Sequence, residues 1–344
     1  MLVVSELHSA LEALWHGVDA SHPLHGLPSA GPACEGVLRV YTAVDRLIGA
    51  ILDGVHDARV AVFSMHGMGP NRSDVPAMLL LPELLYRASH GRVGFVPRPE
   101  WASVPDGIPR LDAGASWSRA VLDCCAPRRA EKRPWRVRAR HAWRRLAPDT
   151  ATTPGETLGW MPAVRYRRCW SDMDAFALPS FYDGRVRINL RGRERLGRVA
   201  QADCEARCDE VEALLAECRD LRTGEPVVAE VERPVRGDPR AAGPTQADLV
   251  IRWRGSALGF RHPRLGVIGP APYRRTGGHA GGPGFAYFDL PEAVHGDHGR
   301  RSAFDVVPTL LDLCGVAADG IGGESLLPVL APSMRERAAK EAIR

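Results

Sequence analysis

With 344 residues, 45% of them hydrophobic and 25% charged, the chain is long enough to bury a core in one large or two modest domains. This composition excludes a fibrous or wholly disordered protein, while 35 glycines and 28 prolines predict many turns and long loops. A formal net charge of +4 is small for this length and does not mark a nucleic-acid binder.

No run of about 18 apolar residues occurs, so a membrane span is not expected. The start, Met1 to His8, lacks the basic n-region of a secretory signal, which makes a cytoplasmic location the expectation. Eight cysteines are scattered without CxxC pairs, so neither a disulfide framework nor a zinc ribbon is indicated. Cys204 and Cys208, one helical turn apart, read as buried thiols.

In chain order, Leu2–Val4 reads as a short strand running into a helix with Leu7, Leu11 and Leu14 on one face. Residues 21–36, rich in Pro, Gly, Ser and His, read as loop. From Val37 to Leu52 apolar positions recur at helical spacing, predicting a helix with one broad buried face. Ala58–Ser64 reads as a buried central strand ending at Met65-His66-Gly67, and Leu79–Tyr86 as a helix. From 91 to 175 periodicity is weak and Pro, Trp and Arg abound, which suggests an inserted cap. Within it, residues 128–145 crowd nine Arg and Lys around Trp135 and Trp143, read first as a solvated basic segment and second as a seat for acidic ligands.

Order returns with the alternation of Ala175–Leu190 around Asp183-Gly184, a hairpin signal. Ala202–Arg219 reads as an amphipathic helix with Val211, Leu214 and Leu215 inward, and Asp248–Trp253 as a strand. Asp305–Gly315 reads as a helix beginning near Pro308, and a polar tail follows. Strands alternating with helices predict a three-layer α/β sheet, whose ligands gather at the carboxyl ends of its strands. The domain expectation is thus a core in two parts, 1–90 and 176–330, around a cap at 91–175, with a tail at 331–344.

Three His-bearing segments fall where loops at strand ends are expected: Glu6-Leu-His8 to Glu12, Ser64-Met65-His66-Gly67 and Thr276-Gly-Gly-His279. A metal-dependent hydrolase draws its ligands from several loops, because one loop rarely supplies three in the right geometry. Taken singly, each His reads as readily as a structural or surface residue, and His8 with Glu12 as one exposed helix face.

Together these segments resemble the metal-binding loops of the alkaline phosphatase superfamily, especially its type I phosphodiesterase and nucleotide pyrophosphatase branch. Val60 to Gly69 is similar to a strand followed by Ser-Asp-His-Gly-Met, and Thr276 to His279 to the Gly-Thr/Asp-His loop. Asp305-Val-Val-Pro-Thr309 resembles the closing Asp-x-x-Pro-Thr helix, and Arg187 to Glu194 with Asp220 to Pro226 resembles segments of phosphohydrolases in the same group. The resemblance implies an alkaline-phosphatase-like three-layer sheet, incomplete at its N-terminus, and a phosphoester hydrolase using zinc, or else manganese, on small anionic phosphoesters. It implies His279 as a ligand of one metal and His66 as a ligand of the other, with His8 and Glu12 where the family has an Asp and a His, and Met65 where it has an Asp ligand. The family's first strand with its Thr or Ser nucleophile has no counterpart before Glu6, which leaves a fragment, a companion chain supplying that segment, or a degenerate relative. The alternative function is a non-catalytic member that binds an anionic ligand or partner. Arg191 and Arg193 are candidates for clamping substrate charge, with sheet-edge ion pairs the rival role, and Asp45, Asp19 and His16 are candidates for supporting ligands.

Overall fold

The structure, a computed structural model, describes residues 2–55, 58–112, 114–125, 158–279, 282–290 and 293–333. The basic segment 128–145 therefore lies outside the described residues, as does most of the tail. The chain forms two compact units, Met1–Pro70 with Thr276–Arg344, and Asn71–Arg275. The fold is mixed α/β with several small sheets, and among the described residues every strand pair in them is antiparallel.

The first unit opens on helix α1, Glu6–Val18. Residues 2–5 are irregular rather than a strand, with Leu2 and Val3 exposed. Helix α2 runs from Ala30 to Gly54 and so starts seven residues before the expected boundary. Pro32 sits in its first turn, where the missing N–H would have had no partner anyway, so the Pro and Gly content read as loop is compatible with helix. The two helices pack closely at Gly17, where an added Cβ would fall within 2.7 Å of the Ala30 carbonyl and Ala33.

The expectation of a broad buried face on α2 does not hold. Only Ala30, Ala33 and Val37 are buried, and beyond Val37 no residue of the helix is.

Strand β1, Val60–His66, pairs with Pro283–Asp289 as a two-stranded ribbon. It is not the buried central strand the apolar run suggests, since Phe63 and Met65 are exposed on one face and Phe285 and Tyr287 on the other. A short bridge, Gly69–Pro70 (β2) against Gly277–Gly278, lies beside it. Leu290, Leu327, Leu330 and Ala331 form a small core with Phe288 against it. The helix expected near Pro308 starts at Val306, after a turn whose Ser302 and Asp305 form a capping box, and Gly315 follows it at φ 70°.

The second unit holds the larger core. Pro76–His90 is a continuous helical stretch whose Met78, Leu79, Leu80, Leu81 and Leu84 are fully buried. The expected hairpin forms between Ala175–Ala177 and Gly184–Ile188, and Leu249–Trp253 and Val228–Glu232 extend it to four strands. The helix Cys204–Ala216 buries Val211, Leu214 and Leu215 as its pattern predicts. All eight cysteines are free, and burial pushes the Cys208 thiol up to about 12. Described residues of the 91–175 stretch share this unit's core: Phe95, Trp101, Met161 and Tyr166 are buried, and the Tyr166 hydroxyl donates to Glu83 at 2.6 Å.

Candidate metal centre

Helix α1 carries His8 and Glu12 four residues apart, so both side chains rise from one face. The Nε2 of His8 lies 3.6 Å from a Glu12 carboxylate oxygen. His279 comes from the other end of the chain, and its Nε2 lies 2.5 Å from that of His8. One ligand atom from each of His8, Glu12 and His279 lies within 4.8 Å of the other two.

Local packing explains how His279 reaches α1. Pairing of Gly277–Gly278 with Pro70 and Gly69 lays this segment beside β2. A Cβ on Gly277 would stand 2.2 Å from the Leu11 carbonyl oxygen, so only glycine lets the strand approach α1 this closely. Thr276 fastens the approach: its amide donates to the Glu12 carbonyl at 3.0 Å and its hydroxyl to the Ala13 carbonyl at 2.9 Å. The His16 amide donates to the same hydroxyl at 3.4 Å, while the His16 ring contacts Ser29 at 3.2 Å. Burial, and after it the nearby His25, lowers the His16 pKa below its ordinary value.

His66 ends β1, and the register of the ribbon brings it alongside His279. Its partner residue is Pro283, and the Gly67 amide donates to the Gly282 carbonyl at 2.9 Å. The His66 and His279 rings are in contact, tilted at 31° with centroids 4.2 Å apart, whereas the His8 and His66 centroids stand 6.5 Å apart. His66 Nδ1 contacts the Gly67 carbonyl at 3.1 Å. A proton on Nδ1 there leaves Nε2 as a lone-pair donor, the tautomer that metal ligation uses. Thus all four residues singled out for metal binding lie in one unit, three of them with ligand atoms within 4.8 Å of one another and His66 in ring contact with His279.

The three donors are of the types that could hold a divalent transition metal. Two imidazoles and one carboxylate match a three-ligand zinc site with an open fourth position. Ligand atoms about 2.05 Å from a tetrahedral zinc stand roughly 3.3 Å apart. The His8–Glu12 spacing is near that figure, and the His8–His279 spacing is shorter by roughly 1 Å, a change within reach of small rotations of the two rings.

Met65, adjacent to His66, is 45% exposed and, by strand alternation, on the opposite face from it. Asp19 is engaged with Trp15 and Ser21, and Asp45 lies on the exposed part of α2.

Arg191 and Arg193 belong to the other unit. The Arg193 guanidinium is enclosed, and its five N–H donors are spent on Glu194, Asp248, Ile188 and Pro239. That makes it a strut between loops rather than a clamp for substrate. Arg191 is exposed.

Thr276 and Gly277 are the positioning residues that sequence reasoning about ligands passed over. Their signal was present as a Thr-Gly-Gly run directly before a His.

Comparison with protein-family models, curated proteins and solved structures found no match for this chain.

Proposed function

We propose that the first unit holds a divalent metal, zinc or else manganese, and that the chain is a metal-dependent phosphoester hydrolase of the alkaline phosphatase kind. The observation that carries this reading is the convergence of His8, Glu12 and His279 from segments more than 250 residues apart. A helix face alone accounts for His8 with Glu12. It does not account for a third donor delivered by a Thr-Gly-Gly loop that is built to approach that face.

In this reading His8 and His279 donate through Nε2 and Glu12 through a carboxylate oxygen. A bound divalent ion there supplies Lewis acidity toward a phosphoryl oxygen. The chain's own part is to hold donors in place: the α1 helix fixes His8 relative to Glu12, and Thr276 fixes the loop bearing His279. His66, tilted against His279, limits how that ring can turn. No residue of this chain is assigned as nucleophile.

One observation favours a second reading, a metal-binding member that does not hydrolyse esters. Where the resemblance calls for a carboxylate beside His66 there is Met65, whose thioether is a poor donor to a hard cation.

Hydrolysis of bis(p-nitrophenyl) phosphate and p-nitrophenyl phosphate by the full chain, with added zinc or manganese and with EDTA, separates the two. Metal-dependent turnover that His279→Ala abolishes supports the hydrolase. Metal binding without turnover on either ester supports the second reading.

A further inference from the structure

The second unit holds a cleft of about 180 Å³, counted out to its open mouth, lined by the turn that begins the Pro76–His90 helical stretch and by residues of the segments 256–258 and 273–275. Local chemistry sets its walls. Asn71 Oδ1 accepts from the Ser73 and Asp74 amides at 3.2 and 3.0 Å, a turn that carries Asp74 into the interior. The Ala271 amide donates to the Leu258 carbonyl at 2.9 Å, which lays the chain leading to 273–275 beside 256–258.

Among the described residues, three arginines and one carboxylate line this cleft, Arg72, Arg274 and Arg275 against Asp74, which leaves two positive charges in excess. The hydroxyls of Ser256 and Tyr273 in the lining offset neither, since burial pushes the Tyr273 hydroxyl up to about 12. Asp74 braces two of the guanidiniums: its Oδ2 accepts from Arg274 Nη1 and Arg275 Nε, both at 2.8 Å, and its Oδ1 from Arg275 Nη2 at 3.0 Å. The Arg274 guanidinium also lies over the Trp160 ring, 4.8 Å from its centroid, which steadies its plane. Of its donors only Nη1 bonds to a protein group among the described residues, so the edge bearing Nε and Nη2 is left as a fork of parallel donors. Arg72 is exposed and makes no ion pair among the described residues. One arginine held bidentately already satisfies Asp74. Stability therefore does not call for the other two, whose mutual repulsion favours a bound anion.

We propose that this cleft binds a phosphate dianion, free or as the end group of a phosphomonoester. Two excess charges match a dianion better than a carboxylate, and the Arg274 fork suits two phosphate oxygens. The cleft holds about six times a water molecule's share of roughly 30 Å³ and falls below the roughly 300 Å³ of pockets that enclose whole organic ligands. It therefore takes the phosphoryl group and leaves the rest of a larger molecule in solvent. None of the metal-centre residues takes part, so the site stands whether or not the chain is a hydrolase.

Isothermal titration calorimetry of the full chain with inorganic phosphate, in EDTA and about 150 mM sodium chloride at about pH 8, tests this. One site per chain with a dissociation constant of about 1 mM or tighter is expected. Arg274→Gln should weaken it about tenfold or more, through loss of a charge-assisted fork, and Arg72→Gln about three- to tenfold. Arg72 is exposed, so its replacement does not endanger the fold. Arg207→Gln, which removes the same charge from the exposed side of the Cys204–Ala216 helix, leaves binding unchanged. Glycerol phosphate separates the two sources: affinity within about threefold of inorganic phosphate assigns the site to phosphomonoesters, and affinity at least about tenfold lower assigns it to the free ion. No binding up to about 20 mM phosphate, acetate bound as tightly as phosphate, binding that appears only when zinc is restored, or binding that both cleft variants leave intact would each overturn the proposal.

Discussion

The Nε2 atoms of His8 and His279 stand 2.5 Å apart although 271 residues separate them in sequence. Glu12, one helical turn from His8, completes the group. If the three act as ligands, losing any one leaves two protein donors, too few for a zinc site of the usual three or four. His8→Ala and Glu12→Gln should each weaken zinc binding by more than about 100-fold, in a competitive titration against a chromophoric chelator. Thr276→Val, which touches the ligands only through the backbone it holds, should cost about 10–100-fold, the range of outer-shell changes. Equal affinities for wild type and Glu12→Gln would remove Glu12 from the site.

Gly277 is the steric gate of the same arrangement. With a Cβ there 2.2 Å from the Leu11 oxygen, Gly277→Ala must push the 277–278 segment away from α1. The expected cost is about 1–3 kcal/mol by urea denaturation, in the range of overpacking, and zinc affinity should fall with it. Gly31→Ala, in open space on α2, is the control and should cost little or nothing. Indifference to Gly277→Ala would mean that the close approach to α1 is not needed.

Arg193 and Asp248 form an enclosed bidentate pair, with both carboxylate oxygens accepting from the guanidinium at 2.6–2.7 Å. Asp248→Asn leaves Arg193 only the Glu194 carboxylate as a charged partner and weakens two charge-assisted hydrogen bonds, so it is expected to destabilise the second unit by about 1.5–3 kcal/mol. A loss within about 0.5 kcal/mol would be the mark of an exposed pair and would contradict the strut assignment.

His16 links the site to pH. Burial, and then His25, lowers its pKa below the ordinary 6.5, so the folded chain takes up this proton less readily than the unfolded chain. The neutral ring's contribution to stability is therefore full above pH 6.5 and is lost as pH falls from there through the folded-state value. His16→Asn should thus cost stability at about pH 7.5 and cost less at about pH 5, measured by urea denaturation at both values. A penalty that is the same at both would show that His16 does not titrate differently in the two states.

What the sequence makes legible is whatever local chemistry decides. The alternation around Asp183-Gly184 specifies the hairpin, and Val211, Leu214 and Leu215 mark the inner face of their helix. The four candidate ligands are legible as residue types near turns, but residue type and spacing do not say which of them meet. Burial is what local pattern fails to give. Ala58–Ser64 and Val37–Leu52 have the composition of core elements, yet β1 is one strand of a two-stranded ribbon and α2 stands uncovered beyond Val37. An apolar run states what a segment is able to pack against, not that a partner is supplied. The Arg193 pair was hidden for a similar reason, since Asp248 lies 55 residues away and only the sheet register unites them.

The metal content of the purified full chain, by inductively coupled plasma mass spectrometry beside His279→Ala, tests the centre most directly. The account predicts about one zinc or manganese per wild-type chain and almost none in the variant. No bound metal in wild type after growth and dialysis with zinc and manganese supplied, or the same metal content in both proteins, would contradict it.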